Sequence, residues 1–302
     1  MLNLVKKQML KLLPRPLFLA LKAFLLSFNP YYQRISTLLV KTSGLASDGC
    51  PFVQLESGRV FYGYLPTPEQ RAYYRRFLRK EIKLRLQEDC VNVAYDIVLR
   101  YLGPAPSQDA VSQGKYYDFS AGDIVAEVGA YMGYYAMRAA ELVGESGKVI
   151  AIEAVEENFS LLERNIAANR LNQITAVRKA VWNSTGALSF QRHARQQASA
   201  INGVVAADEQ FSVPCDTLDN ILSQAESPRP QFVRIPVNGA ERETLEGMSE
   251  TLKTQPTLLI AAIYERDGAP AYKDISAALM QRGYNVLVRR GNVLATPARK
   301  ID

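Results

Sequence analysis

Three cysteines, one histidine and no acid before Asp48 are what this 302-residue chain conspicuously lacks in chemistry-bearing residues. Cys50, Cys90 and Cys215 are odd in number, widely spaced and without a CxxC pair, which excludes a disulfide framework and a zinc ribbon. A reducing compartment, and so a cytoplasmic chain, is the expectation. A single histidine, His193, excludes His-rich metal sites and leaves one candidate for imidazole catalysis, unless it is simply exposed or satisfied in the core. No apolar run reaches the ~20 residues that cross a bilayer. The most hydrophobic stretch, PLFLALKAFLLSF over residues 16–28, is broken by Lys22 and is followed by no small-x-small cleavage pattern.

The missing acids concentrate the positive charge. Residues 1–45 hold seven of the 36 lysines and arginines, so the remainder carries 29 basic against 30 acidic residues and is close to neutral. Residues 1–45 are expected to form a basic, apolar helical segment. It would lie peripherally on an anionic membrane, or dock on the body or on a second copy in a homo-oligomer. The stretch RAYYRRFLRKEIKLRLQ (71–87) interleaves basic and aromatic residues. With a neutral body it reads as the solvated face of an amphipathic helix rather than a nucleic-acid surface, and no nucleic acid is expected as a partner.

At 48% hydrophobic, the chain can bury one large domain with an appendage. PFVQLESGRVFYGYL (51–65) reads as a hairpin turning at Ser57-Gly58, and GPAPSQDAVSQGK (103–115) reads as a linker. The expected organisation is residues 1–45, an accessory hairpin-and-helix region at 46–115, and a main domain at 116–302. From residue 121 short β-rich runs alternate with helical stretches: DIVAEV, KVIAIE, ITAVRKAVW, QFVRIPV and TLLIAAIY, then YNVLVRR and NVLATPA joined across Gly291-Asn292. Such alternation predicts an α/β fold, a doubly wound and mostly parallel sheet with an antiparallel hairpin at one edge.

The run IVAEVGAYMGYY (124–135) places a glycine turn at the end of the first of these strands. A phosphate loop needs GxxxxGK with a following hydroxyl, and none stands here; a dinucleotide site wants GxGxxG. Gly129 and Gly133 instead bracket Tyr131, behind an acid, Glu127. An acid there repels a pyrophosphate but suits the ammonium of S-adenosylmethionine, a cofactor without phosphate. Glu153 closes the next strand, where a carboxylate can accept ribose hydroxyls. No metal site is indicated.

These segments, with CDTLDNIL, VRIPVNGAERETLEGM and ALMQRGY in order, resemble the FkbM-type S-adenosylmethionine-dependent methyltransferases over about residues 120–290. The resemblance implies a class I, Rossmann-like methyltransferase sheet and methyl transfer to a hydroxyl of a saccharide, glycolipid or polyketide-like acceptor. It further implies Glu127, Gly129, Tyr131 and Gly133 at the methionine end of the cofactor, Glu153 on its ribose, Ala180-Val181 beside its adenine, and Pro236 and Asn238 at the facing strand end. In VRIPVNGAE, Pro236 and Asn238 replace two acids of a family stretch that runs Lys-Ile-Asp-Val-Glu-Gly-Ala-Glu. Ala262 and Tyr264 likewise stand where an acid and a histidine are common. His193, in a polar stretch expected over the strand ends, is then the first candidate base. Glu265 and Asp267, after the fifth strand, are the next. The alternative is a cofactor-binding chain of little or no activity that serves as a partner or regulatory subunit.

Overall fold

The computed structural model describes residues 38–78, 83, 85–102, 117–192, 200–201, 209–227, 229–237, 239–266 and 268–298. Most of the basic N-terminal segment, residues 1–37, lies outside them. The described residues up to Arg59, with those from Tyr64 to Leu102, form one compact unit; Val60–Gly63 and the described residues from Tyr117 onward form another.

In the first unit, strands β1 (Val40–Leu45) and β2 (Pro51–Leu55) pair antiparallel. Gly58, at φ +88°, makes the turn expected after β2, and β3 (Val60–Tyr62) follows in the second unit. Helix α1 (Pro68–Phe77) starts with a capping box between Thr67 and Gln70 and has proline in its first turn, both strong start signals. Helix α2 (Val91–Asp96) runs on through a π-helical turn at Ile97–Tyr101. Within the basic-aromatic stretch, Arg71 pairs with Asp89 at 2.7 Å and Arg75 pairs with Glu88, so these cations answer local acids.

The second unit is built on a seven-stranded sheet of β4 (Ile124–Val128), β5 (Lys148–Ile152), β6 (Ile174–Val177), β11 (Phe232–Ile235), β12 (Thr257–Ala261), β15 (Tyr284–Arg289) and β16 (Asn292–Pro297). Their spatial order is β15-β16-β12-β11-β4-β5-β6. All pairings are parallel except those of β16, which is antiparallel to both neighbours. The doubly wound sheet with an antiparallel edge hairpin is therefore as expected. After β4 the chain builds outward through β5 and β6, then returns to the other side of β4 with β11. The strand ends between β4 and β11 are a topological switch point, where open α/β sheets bind ligands.

Period-two alternation divides the strands between two faces. Ala126, Val128, Ile150, Ile152, Val233, Ile235, Leu258 and Ile260 share one core cluster with Leu218, Ile221 and Leu222 of α5 (Leu218–Gln224) and Ile275 and Leu279 of α8 (Tyr272–Gln281). Val125 and Val149, on the alternate positions, are buried too, as are Ala136, Met137, Ala140 and Val143 of α3 (Tyr134–Val143) and Leu162 of α4 (Glu156–Asn169). Two asparagines one turn apart on α4 act as a ladder for β3. Asn169 accepts from Val60 N at 2.9 Å and donates to Val60 O at 2.7 Å. Asn165 accepts from Tyr62 N at 2.7 Å and donates to Tyr62 O at 3.1 Å. The accessory region expected over 46–115 thus contributes residues 60–63 to the main unit.

One expectation is corrected. ITAVRKAVW is not a single strand: β6 ends at Val177, and β7 (Ala180–Val181) joins a second sheet, ordered β7-β10-β8-β9, with β8 (Gly186–Arg192), β9 (Ala200–Ile201) and β10 (Glu209–Asp216). Arg178 and Lys179 stand between the two strands, and each pairs with an acid. Arg178 pairs with Glu156, and Lys179 Nζ lies 2.8 Å from Asp216 of β10.

Candidate functional site

The glycine turn is fastened to the end of β5. Gly129 N and Ala130 N both donate to Ile152 O at 2.8 Å, and Gly133 N donates back to Ala130 O at 2.9 Å. Gly129, Tyr131 and Gly133 all have left-handed backbone, at φ +86°, +55° and +80°. Glycine takes that conformation without penalty and tyrosine does not. Packing reinforces the choice, since a Cβ on Gly133 would stand 2.3 Å from Leu162 Cδ1. Asn165 reaches the same turn, donating to Met132 O at 2.9 Å.

Glu153, buried at the end of β5, receives the turn. Its Oε2 accepts from Tyr131 N at 2.8 Å, and its Oε1 accepts from Val155 N at 3.0 Å and Asn158 Nδ2 at 3.1 Å. Burial pushes this carboxyl above the ordinary range, against the opposing pull of those N–H groups. The Ala154 N–H pulls the same way, so four N–H groups hold this carboxylate at the strand end.

Glu127, expected at the methionine end of the cofactor, is paired across the sheet. Arg234 is its in-register neighbour on β11, and Arg234 Nη1 donates to Glu127 Oε1 at 2.5 Å. The guanidinium centre also lies 4.3 Å from the centroid of the Tyr135 ring. Side chains on the same face of adjacent strands are about 5 Å apart, so a charged pair here neutralises itself beneath the turn. Arg234 was missed in the sequence, although a cation inside the apolar run FVRIPV was a signal for it.

Past β11, Pro236 is half-buried, and its carbonyl oxygen lies 3.5 Å from the position a Cβ on Gly129 would take. Proline offers no N–H to the sheet, and the β11–β12 pairing ends at Ile235. Helix α6 (Glu241–Glu246) then brings two more acids to these strand ends. Glu241 is only 2% exposed, and its Oε1 accepts from Gly239 N at 3.1 Å. Burial, with Glu243 beside it, pushes the Glu241 carboxyl up to about 7, while the N–H groups of Gly239 and Glu241 and the charge of Arg266 pull the other way. Glu243 is clamped by Arg266 through two bonds of 2.9 and 2.6 Å. Arg266 belongs to a short hairpin, β13 (Glu265–Arg266) with β14 (Ala269–Pro270), that follows β12. Tyr264 precedes it, its phenol pushed up by burial and by the Glu241 charge.

The remaining predicted residues fall in several places. Ala180 and Val181 are buried in β7 and pair with Cys215 and Asp216. Glu265 is exposed on its hairpin. His193, Asn238 and Asp267 lie outside the described residues. Among the described residues no cluster of His, Cys, Asp or Glu is placed to hold a metal ion, and no helix is long and apolar enough to cross a membrane. CDTLDNIL proves to be a structural latch. Asp216 accepts from Lys179 at 2.8 Å, Thr185 at 2.8 Å, Thr217 N at 3.0 Å and Asn220 at 2.9 Å. Burial alone would raise its carboxyl, but these partners together hold it well below the usual carboxylate range. Asp219 caps α7 (Ser249–Lys253), accepting from Glu250 N and Thr251 N at 2.8 Å each and from Thr251 Oγ1 at 2.6 Å.

Residues 123–286, which span the glycine turn, Glu153, Arg234 and Glu241, match the family model of the methyltransferase FkbM domain. The chain belongs to the FkbM methyltransferase family. Its FkbM domain has a class I methyltransferase fold, and the strand order carries that assignment. The chain is 25% identical over 134 residues to the hexuronic acid methyltransferase AglP of Haloferax volcanii, a match covering 44% of this chain and 52% of AglP. It therefore spans about half the length of that curated relative. Among solved structures it is similar to methyltransferase FkbM from Methylobacillus flagellatus KT, with 17% identity and a TM-score of 0.45 over 72% of this chain and 57% of that one. It is also similar to a SAM-dependent methyltransferase from Aquifex aeolicus, with 17% identity and a TM-score of 0.35 over 60% of this chain and 84% of that one.

Proposed function

We propose that this chain is an S-adenosylmethionine-dependent O-methyltransferase acting on a hydroxyl of a saccharide, glycolipid or polyketide-like acceptor. The observation that carries the reading is the left-handed glycine turn, held at the switch point by Tyr131 N–H on the Glu153 carboxylate. The residues fit the cofactor. The turn carries no lysine, serine or threonine for a phosphate, and Glu153 puts a carboxylate at the strand end, where a ribose hydroxyl can donate to it. When bound, the cofactor supplies a methyl group already activated on a sulfonium, so the chain's task is chiefly to hold an acceptor oxygen in line with it. A saccharide acceptor draws support from the hexuronic acid methyltransferase among the relatives.

Calorimetric titration tests the reading. S-adenosylmethionine or S-adenosylhomocysteine is expected to bind, and Glu153→Ala to weaken binding by about 1.5–3 kcal/mol, the scale of a charge-assisted hydrogen bond. Binding of equal strength in the variant removes Glu153 from the ribose. A second reading, a cofactor-binding partner or regulatory protein, draws on Pro236 and Asn238 standing in place of family acids. It predicts binding with no conversion of S-adenosylmethionine to S-adenosylhomocysteine across a panel of saccharide and lipid acceptors.

A further inference from the structure

The ends of β11 and β12 carry a group of charges that cofactor binding leaves unused. Of the three acids in the family stretch resembled by VRIPVNGAE, only the last stands in this chain, as Glu241. Pro236 cannot exchange a proton. Glu241 and Glu243 sit two residues apart on one short helix, and the structure treats them differently. Glu243 gives both oxygens to Arg266, whereas the Glu241 carboxylate is held by main-chain N–H groups, those of Gly239 and of Glu241 itself. We propose that Glu241 is the general base that takes the proton of the acceptor hydroxyl.

The inference rests on the methyl-transfer reading and assigns the proton within it. In the step, the acceptor O–H bond breaks and its proton passes to the Glu241 carboxylate. The oxygen's electron pair forms the new O–C bond to the methyl group. The C–S bond breaks with its pair left on sulfur, giving the neutral thioether of S-adenosylhomocysteine. No further reactant is required.

Position and surroundings both support the assignment. Pro236, at the head of the segment leading to Glu241, abuts the first glycine of the turn, so this segment borders the cofactor side of the switch point. The charged and titratable groups facing Glu241 are Glu243 on its own helix, Arg266 on the hairpin and Tyr264 after β12. Burial is the largest influence on the Glu241 carboxyl and holds it at about 7, where a carboxylate is a far better proton acceptor than an ordinary surface acid yet remains substantially ionised at neutral pH. The Arg266–Glu243 clamp holds the neighbouring carboxylate in place through both of its oxygens.

Two measurements on the full chain test the proposal. The first compares wild type with Glu241→Gln and Glu241→Asp, using S-adenosylmethionine and a hexuronate-bearing oligosaccharide. Glu241→Gln is expected to lower kcat about 10²–10⁴-fold, to abolish the acidic limb of the kcat–pH profile near 7, and to leave S-adenosylhomocysteine affinity unchanged. Glu241→Asp is expected to keep the limb at a reduced rate. A Glu241→Gln variant with wild-type kcat and limb overturns the proposal.

The second measurement needs no acceptor. A diazoacetamide esterifies protonated carboxyls, so at pH 6 it should label Glu241 in the folded wild-type protein, read by peptide mass spectrometry, before the ordinary surface acids. Absence of that ester in protein that binds S-adenosylhomocysteine shows that no substrate reaches Glu241 and overturns the proposal, whatever the kinetics. Failure of S-adenosylhomocysteine to bind at all overturns the cofactor reading instead.

Discussion

Glu153, just past β5, and Glu241, at the start of α6, are both buried carboxyls, and their partners separate them. Four N–H groups hold Glu153, while Glu241 has the N–H groups of Gly239 and of its own main chain and a nearby like charge. For Glu241 the linkage has a definite sign. Its folded pKa is raised from 4.5 to about 7, so the native state binds the proton more tightly. Its contribution to stability is complete below pH 4.5 and is lost as the pH rises through 7. Wild type should therefore lose about 2–3 kcal/mol more than Glu241→Gln between pH 4.5 and pH 8, as measured by urea unfolding at each pH. Identical pH dependence in the two proteins would contradict the burial argument. Gly133→Ala tests the turn in the same way. It forces a side chain into left-handed backbone against buried Leu162, and should cost about 1–3 kcal/mol in stability. The glycines and Glu153 were legible from sequence because a turn and a strand end are local features. Glu241 was not, because nothing local marks a carboxyl whose burial comes from elements brought together only in the fold.

Elements here are joined through polar side chains that a hydrophobic pattern does not reveal. Asn165 satisfies the main chain of both β3 and the glycine turn, through Tyr62 N, Tyr62 O and Met132 O. Asn165→Leu should leave these groups without that partner and lower stability by at least about 2 kcal/mol, with S-adenosylhomocysteine affinity falling as the turn loosens. A chemical-denaturation midpoint equal to wild type would show that the ladder is dispensable. Asp219→Ala, which uncaps α7, should cost a smaller ~1 kcal/mol without touching cofactor affinity. The parallel strands and their helices were readable because period two and period 3.6 alternate cleanly from residue 121. The second sheet was not. β7 is two residues long and continues a run that looked like one strand, and its pairing with β10 spans more than thirty residues of chain.

At the scale of the whole molecule, charge is segregated along the chain: seven basic residues and no acid lie in residues 1–45, ahead of a neutral remainder. Full-length protein is expected to partition onto anionic vesicles at low salt and to leave them as salt rises, whereas a chain beginning at residue 46 should not. Equal partitioning of the two in a flotation assay would favour a helix docked on protein. Architecture was legible at this scale, down to the closing hairpin, since strand and helix lengths and the Gly291-Asn292 turn are written in short windows. The place of β16 was not, because a hairpin at an edge does not say which of its strands faces the sheet. That place has a consequence for synthesis. The ribosome delivers β16 after every other strand of the sheet, yet it lies between β12 and β15. Until it emerges, β12 offers a bare main-chain edge flanked by Leu258 and Ile260, and β15 has nothing to pair with. A nascent chain that has emerged only as far as residue 290 is thus an unfinished sheet with an adhesive margin, and the sheet closes only once β16 has left the tunnel.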